Sequence, residues 1–123
     1  MQNIRERFWT DNYPEGVPKD IDPEKYPNLN ALIDEAFDNH PQATAYTCLG
    51  RSITFFEARQ YAEKISQFLM EEGFEKGDRV AVMLPNILQN PVAIIGVLRA
   101  GLIVVNVNPL TMIISFFRST ILR

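Results

Sequence analysis

Two stretches decide the fold: Asp78-Arg79-Val80-Ala81-Val82-Met83-Leu84-Pro85-Asn86 and Gly101-Leu102-Ile103-Val104-Val105-Asn106-Val107. Each is an apolar run of strand length without polar alternation. That pattern belongs to strands buried on both faces of a parallel sheet. Between them, residues 87–100 read as a helix, opened by Pro85-Asn86, with Pro91 near its first turn and Gly101 at its end. Strand, helix, strand with short loops is a βαβ unit, and such units cross over right-handed as a rule.

Working back toward the N-terminus, Thr54-Phe55-Phe56-Glu57 has the form of a capping box. The Thr hydroxyl accepts an amide proton of the first turn, and the Glu reaches back to the Thr amide. Phe55, Ala58, Ala62, Ile65 and Leu69 follow at helical spacing, with Tyr61 and Phe68 beside them, and Gly73 is placed as a left-handed stop. Glu75-Lys76-Gly77-Asp78 is then a polar turn. Residues 43–49 alternate as a short strand. Gly50-Arg51 reads as the turn after it, and Ser52-Ile53-Thr54 as the returning strand. Leu29, Leu32, Ile33, Ala36 and Phe37 share one face of an earlier helix, with Asn28 as its cap and Asn39-His40-Pro41 as its stop. Residues 1–28 are rich in proline, acids and aromatics, so long regular elements are excluded there. They read as an extended lead-in around a larger body or as a loose terminus.

Charge is unevenly spread. All fifteen Asp and Glu lie at or before Asp78, against eight Lys and Arg there; residues 79–123 hold four Lys and Arg and no acid. The overall net charge of −3 gives no basic footprint for nucleic acid. The single cysteine, Cys48, excludes an internal disulfide and reads as a buried small hydrophobe. The N-terminal nine residues mix charges of both signs without an apolar core, which is not a secretory signal and points to the cytoplasm. The uncharged stretches 80–98 and 100–117 approach the roughly 20 residues of a membrane span. Pro85, Asn86, Gln89, Asn90 and Pro91 in the first, and Asn106, Asn108 and Pro109 in the second, make buried strands and helix the better reading.

Motifs that carry chemistry are scarce. No Gly-x-Gly-x-x-Gly and no Gly-x-x-x-x-Gly-Lys-Ser/Thr occurs, and Gly96 and Gly101 read as helix packing and a helix stop. His40, the lone histidine, has no metal-ligand spacing around it and reads as a helix terminator. Asp34-Glu35-Asp38 and Glu71-Glu72 read as solvated helix faces. Asn86, Asn106 and Asn108 each fall at the C-terminal end of an expected parallel strand, where open α/β sheets bind ligands. The competing reading is that they are loop starters bonded to their own backbone. No catalytic, cofactor-binding or metal residue is assigned.

In order along the chain stand Arg51-Ser52-Ile53-Thr54-Phe55, Glu71-Glu72-Gly73-Phe74-Glu75-Lys76-Gly77-Asp78-Arg79-Val80-Ala81-Val82-Met83-Leu84-Pro85-Asn86, Gln89-Asn90-Pro91-Val92-Ala93, Leu98-Arg99-Ala100-Gly101 and Val104-Val105-Asn106-Val107-Asn108-Pro109-Leu110. Together they resemble the N-terminal part of the adenylate-forming (AMP-binding) enzymes, and within them the bacterial long-chain fatty-acyl-CoA ligases. Tyr13-Pro14, Val17-Pro18 and Ile21-Asp22-Pro23 agree with that subfamily. The resemblance covers about residues 8–110. It implies a partial α/β subdomain with an incomplete sheet over residues 29–110, after a lead-in over 1–28. For a full-length parent it implies ATP, Mg²⁺ and CoA, a fatty-acid substrate, cytoplasmic work with peripheral attachment to the inner membrane face, and a homodimer.

Residues 111–123 match nothing in that pattern. They read as a foreign apolar tail, such as a frameshift leaves. The family's Ser/Thr/Gly-rich phosphate loop, ribose-binding aspartate and C-terminal lysine have no counterpart in the 123 residues. The chain by itself is therefore expected to bind none of these cofactors and to be inactive. Two other readings are a small α/β binding module and a membrane-associated protein anchored by its apolar C-terminal half.

Overall fold

The computed structural model of the protein describes residues 7–108. The expected tail over 111–123 and the end of the expected 29–110 unit lie outside the described residues. The elements in chain order are a 3-10 helix Phe8–Asn12, α1 Leu29–Asn39, β1 Thr44–Cys48, β2 Arg51–Thr54, α2 Phe55–Glu71, β3 Arg79–Val82, α3 Gln89–Arg99 and β4 Ile103–Asn106. The strands form two separate pairs, an antiparallel β1–β2 hairpin and a parallel β3–β4 pair. The α/β class and the βαβ unit expected from sequence are both present.

Past the 3-10 helix the lead-in is largely exposed, and Ile21 is 91% exposed. It is fastened at its end, where the Tyr26 hydroxyl donates to Glu35 of α1. Asn28 caps α1 by accepting the Ala31 amide at 2.9 Å, and the His40 amide closes the helix on the Ala36 carbonyl at 3.1 Å. The apolar stripe of α1 is only partly used. Phe37 is buried, whereas Leu29 and Leu32 remain exposed, because the core lies toward the Phe37 end.

The hairpin turn differs by one residue from the expected one. Cys48 pairs with Arg51, so Leu49-Gly50 makes a two-residue turn. Both residues have positive φ, +50° and +77°, as a type I′ turn requires. Arg51 is thereby drawn into β2.

The capping box of α2 forms in full. The Glu57 amide donates to the Thr54 hydroxyl at 3.2 Å, and the Thr54 amide donates to the Glu57 carboxylate at 2.8 Å. Ala58, Ala62 and Leu69 are buried along its stripe. At its end the Phe74 amide reaches the Leu69 carbonyl and the Gly73 amide the Met70 carbonyl. This is a Schellman motif, with Gly73 at φ +86°. The end of α3 repeats it: the Leu102 amide bonds to Val97 and the Gly101 amide to Leu98. The two turns that follow are tied together, the Gly77 amide to the Gly101 carbonyl at 3.2 Å and the Ile103 amide to the Asp78 carbonyl at 2.8 Å.

Helix α3 starts two residues later than the sequence suggests. The Ile87 amide bonds to the Pro85 carbonyl and the Asn90 amide to Ile87, a tight turn that delays the first helical residue. Pro91 is then the third helical residue, where its missing N–H has no partner to lose. Two small apolar clusters make the core. Phe37, Ala58, Ala62, Val92 and Ile95 form one, and Leu69, Val82, Val97 and Leu102 the other. Ile65 packs against both.

Helices α2 and α3 touch unusually closely. A Cβ added to Gly96 of α3 meets the Ile65 side chain at 2.7 Å and the Ala62 carbonyl at 2.9 Å.

The parallel pair departs from the expected burial on both faces. Arg79 pairs with Ile103, Val80 with Val104, Ala81 with Val105 and Val82 with Asn106. Val80, Val82 and Val104 turn to the helix side and pack in the second cluster. On the opposite face Arg79, Ala81 and Met83 of one strand line and Ile103 and Val105 of the other are exposed. Parallel sheets are covered by helices on both faces, and the described residues supply that layer on one face.

Candidate functional site

The ends of the parallel pair bring the three singled-out asparagines together. Asn86, Asn106 and Asn108 line an open cleft of about 670 Å³ with Asn90, over a floor that includes Leu84 and Ile94. Each arrives there for a local reason. Asn86 follows Pro85 where β3 gives way to the tight turn, Asn106 is the last residue of β4, and Asn108 lies two residues beyond.

Asn90 organises the cleft, and sequence reading passed over it. Its carboxamide nitrogen donates to the carbonyls of Leu84 and Pro85, both at 3.3 Å. The side chain thereby clamps the β3–α3 loop onto the first turn of α3. Its carboxamide oxygen is buried and accepts no hydrogen bond from the described residues. The one signal in the sequence was its place just before Pro91. Cys48 closes the loop from the hairpin side, its thiol pointing at the Asn86 carbonyl at 3.4 Å. It is half-buried rather than a core hydrophobe, because β1 ends there beside the loop.

The chemistry available in this cleft is hydrogen bonding. Carboxamides neither carry charge nor exchange protons near neutral pH. His40 lies elsewhere, terminating α1. Among the described residues no group of three or more His, Cys, Asp or Glu is arranged to hold a metal ion. The cleft offers neutral carboxamides and no carboxylate, a donor set that does not fit Mg²⁺. Among the described residues no helix is long and apolar enough to cross a membrane.

Charge is concentrated in a different place, among the three helices. Asp34 of α1 receives Arg99 of α3 at 2.5 Å and Arg59 of α2 at 3.4 Å. Asp38 receives Arg59 at 2.6 Å, and Glu63 approaches Arg59 at 3.5 Å and Arg99 at 3.6 Å. The hydrogen bond that Arg59 donates to Asp38 foremost, with the charges of Asp38, Asp34 and Glu63, raises the Arg59 pKa above its ordinary value against a desolvation cost. Asp38 and Glu35 stay exposed, as expected of a solvated helix face, whereas Asp34 is drawn into a half-buried junction. Periodicity placed them outward on α1 but could not show that two arginines on other helices converge there. Glu71 fits the solvated reading, exposed and bonded to Gln67 within its own helix.

A family model described as "AMP-binding enzyme" matches residues 33–112. A long-chain-fatty-acid–CoA ligase from Haemophilus influenzae is 43% identical over 106 residues, covering 85% of this chain and 19% of that protein. One from Bacillus subtilis is 39% identical over 102 residues, 83% of this chain and 18% of that protein. The chain thus spans about a fifth of the length of these relatives. Among solved structures, a fatty acyl-adenylate ligase from L. pneumophila in complex with acyl adenylate and pyrophosphate superposes with a TM-score of 0.63 at 25% identity, covering 73% of this chain and 17% of that one. The inhibitor-bound N-terminal domain of FACL13 from Mycobacterium tuberculosis gives 0.64 at 24% identity, covering 75% and 24%. That second likeness bears on the fold alone.

Proposed function

The chain belongs to the AMP-binding enzyme family, and from that premise we propose that it serves as a structural portion of a long-chain fatty-acid–CoA ligase. In the full reaction a fatty-acid carboxylate attacks the α-phosphorus of ATP, giving acyl-adenylate and pyrophosphate. The CoA thiol then attacks the acyl carbon and AMP leaves. The observation that carries the reading is the 43% identity with the H. influenzae ligase over 85% of this chain.

Within such an enzyme the described residues supply framework. They build one covered face of a parallel pair, three ion-paired helices and a hydrogen-bonding cleft at the strand ends. The cleft at the strand ends is lined by no charged side chain, whereas phosphoryl and nucleotidyl transfer depend on electrostatic stabilisation of phosphate charge. ATP, Mg²⁺ and CoA are accordingly cofactors and substrates of the complete enzyme, which we assign to the cytoplasm. The purified 123-residue chain is inactive by itself in this reading.

The test has two arms. With ATP, CoA and palmitate, the isolated chain is expected to release no pyrophosphate above the blank. A chimera in which this sequence replaces the matching 106 residues of the H. influenzae ligase is expected to keep palmitate-dependent activity. A soluble chimera without that activity, or an active isolated chain, overturns the proposal.

A further inference from the structure

A second concave surface lies away from the strand ends, between β2 of the hairpin, α2 and the start of α3, with a volume of about 620 Å³. Each element brings one face to it. Arg51 and Ile53 stand two apart on β2 and so share a side of that strand. Glu57, Tyr61 and Lys64 stand at i, i+4 and i+7 on α2, with Ile65 beside them. Leu88 and Val92 are one turn apart where α3 begins. Ile53, Ile65, Leu88 and Val92 give the groove an apolar floor, Val92 buried and the other three half-buried.

Charge sets this groove apart. Arg59 and Arg99 are answered by carboxylates of α1 and α2. The lysines and arginines without an ion-pair partner among the described residues are Arg51, Lys64, Lys76 and Arg79. Two of these four line the groove. Its one acid, Glu57, already accepts from the Thr54 amide and hydroxyl. Two cations against one carboxylate leave the lining positive. A bare anion would use the cations and leave the floor wet, and a neutral apolar molecule would leave the cations unanswered. A ligand carrying both an anionic head and an apolar chain uses both parts of the groove.

We propose that this groove binds a single-chain amphiphile with one anionic head, a carboxylate or a phosphate. The head lies between Arg51 and Lys64, and the chain lies on Ile53, Ile65, Leu88 and Val92. The site is separate from the asparagine cleft. It does not rest on the ligase reading, since no bond is made or broken and the ligand is held by the folded chain itself.

The experiment is an amide-resolved NMR titration of the full 123-residue chain with decanoate and, separately, decyl phosphate. Shifts are expected at residues 51–53, 61–65 and 88–92. Each methylene that leaves water is worth roughly fourfold in affinity, so acetate is expected to shift none of these amides at concentrations where decanoate saturates them. Decanol is expected to bind at least fivefold more weakly than decanoate. Arg51→Gln and Lys64→Gln, both at exposed positions, are expected to weaken binding about fivefold each with the remaining amide spectrum unchanged. Lys76→Gln, an unpaired cation off the groove, is expected to bind as the parent does. Binding of either head supports the proposal, and the tighter of the two identifies the head that the groove reads. Shifts centred elsewhere, decanol binding as tightly as decanoate, or parental affinity in both groove variants overturns it.

Discussion

Gly96 of α3 lies so close to Ile65 of α2 that a single added methyl meets the Ile65 Cβ and Cγ2 at 2.7 Å. The Ala62 carbonyl is almost as near, at 2.9 Å. These are distances at which something must shift, and one of the obstacles is backbone. Gly96→Ala gains roughly 1 kcal/mol of intrinsic helix propensity, but overpacking of a fitted contact costs about 1–3 kcal/mol. The clash is expected to win, because the Ala62 carbonyl belongs to a hydrogen-bonded helix and cannot swing aside. Urea unfolding of the variant should show a lowered midpoint; equal or greater stability would mean that the helices separate freely.

Asp34 joins three helices through two arginines, and its removal is expected to be felt at both. Arg99 is only 18% exposed, so losing its closest partner leaves a largely desolvated cation short of a carboxylate. Asp34→Asn should destabilise by about 1–3 kcal/mol. Asp38, 63% exposed, should matter less, under about 1 kcal/mol for Asp38→Asn. Chemical denaturation of the two variants checks the order, and a larger loss at Asp38 contradicts it.

Leu49 sits at φ +50° and is 93% exposed, so it carries backbone strain and buries almost nothing. Asn-Gly is the pair that a two-residue type I′ turn prefers, and asparagine tolerates the left-handed region better than leucine. Leu49→Asn is expected to raise stability by about 0.5–1 kcal/mol, read as an upward shift in the thermal midpoint. A downward shift would show that the Leu49 side chain has a packing role.

The Thr54 amide first, and the Thr54 hydroxyl second, hold the Glu57 carboxyl below its usual pKa. A carboxyl depressed in the folded state contributes its full share above the unfolded value of about 4.3. That share fades as pH falls through the folded value. The advantage of the parent chain over Glu57→Ala should therefore be present near neutral pH and fade as pH falls below the unfolded value. Paired melts across that range measure it. An advantage that persists undiminished in acid would assign the effect to packing instead.

The local elements were readable because single residues announce them. Thr54 and Glu57 specified a cap, Gly73 and Gly101 specified stops, and the alanines of α2 specified the buried stripe; each of these works within a few residues of itself. The asparagines at the strand ends were readable for a topological reason, since the ends of parallel strands must gather. Asn90 was not readable, because its role comes from facing carbonyls five and six residues back in a loop whose shape the sequence leaves open. Nor was the Asp34–Arg59–Arg99 junction, whose members sit up to 65 residues apart and meet only after the helices pack. The expectation of strands buried on both faces took its cue from composition. Composition records the surroundings a segment is suited to, and here only one side of those surroundings is among the described residues.

The tie between Gly77 and Gly101 has a consequence for strand alignment. Runs such as Val80-Ala81-Val82 and Ile103-Val104-Val105 carry no alternating polar marks, so side chains alone would tolerate a slip of one or two places. The bonds from Gly77 to Gly101 and from Ile103 to Asp78 lie just ahead of both strands, and they fix a common origin from which each strand is counted. Alignment is thus set outside the strands, by the ends of the helices that precede them. Inserting one residue between Asp78 and Arg79 would shift β3 against that origin and exchange its inward valines for Arg79 and Ala81, while β4 stayed where it is.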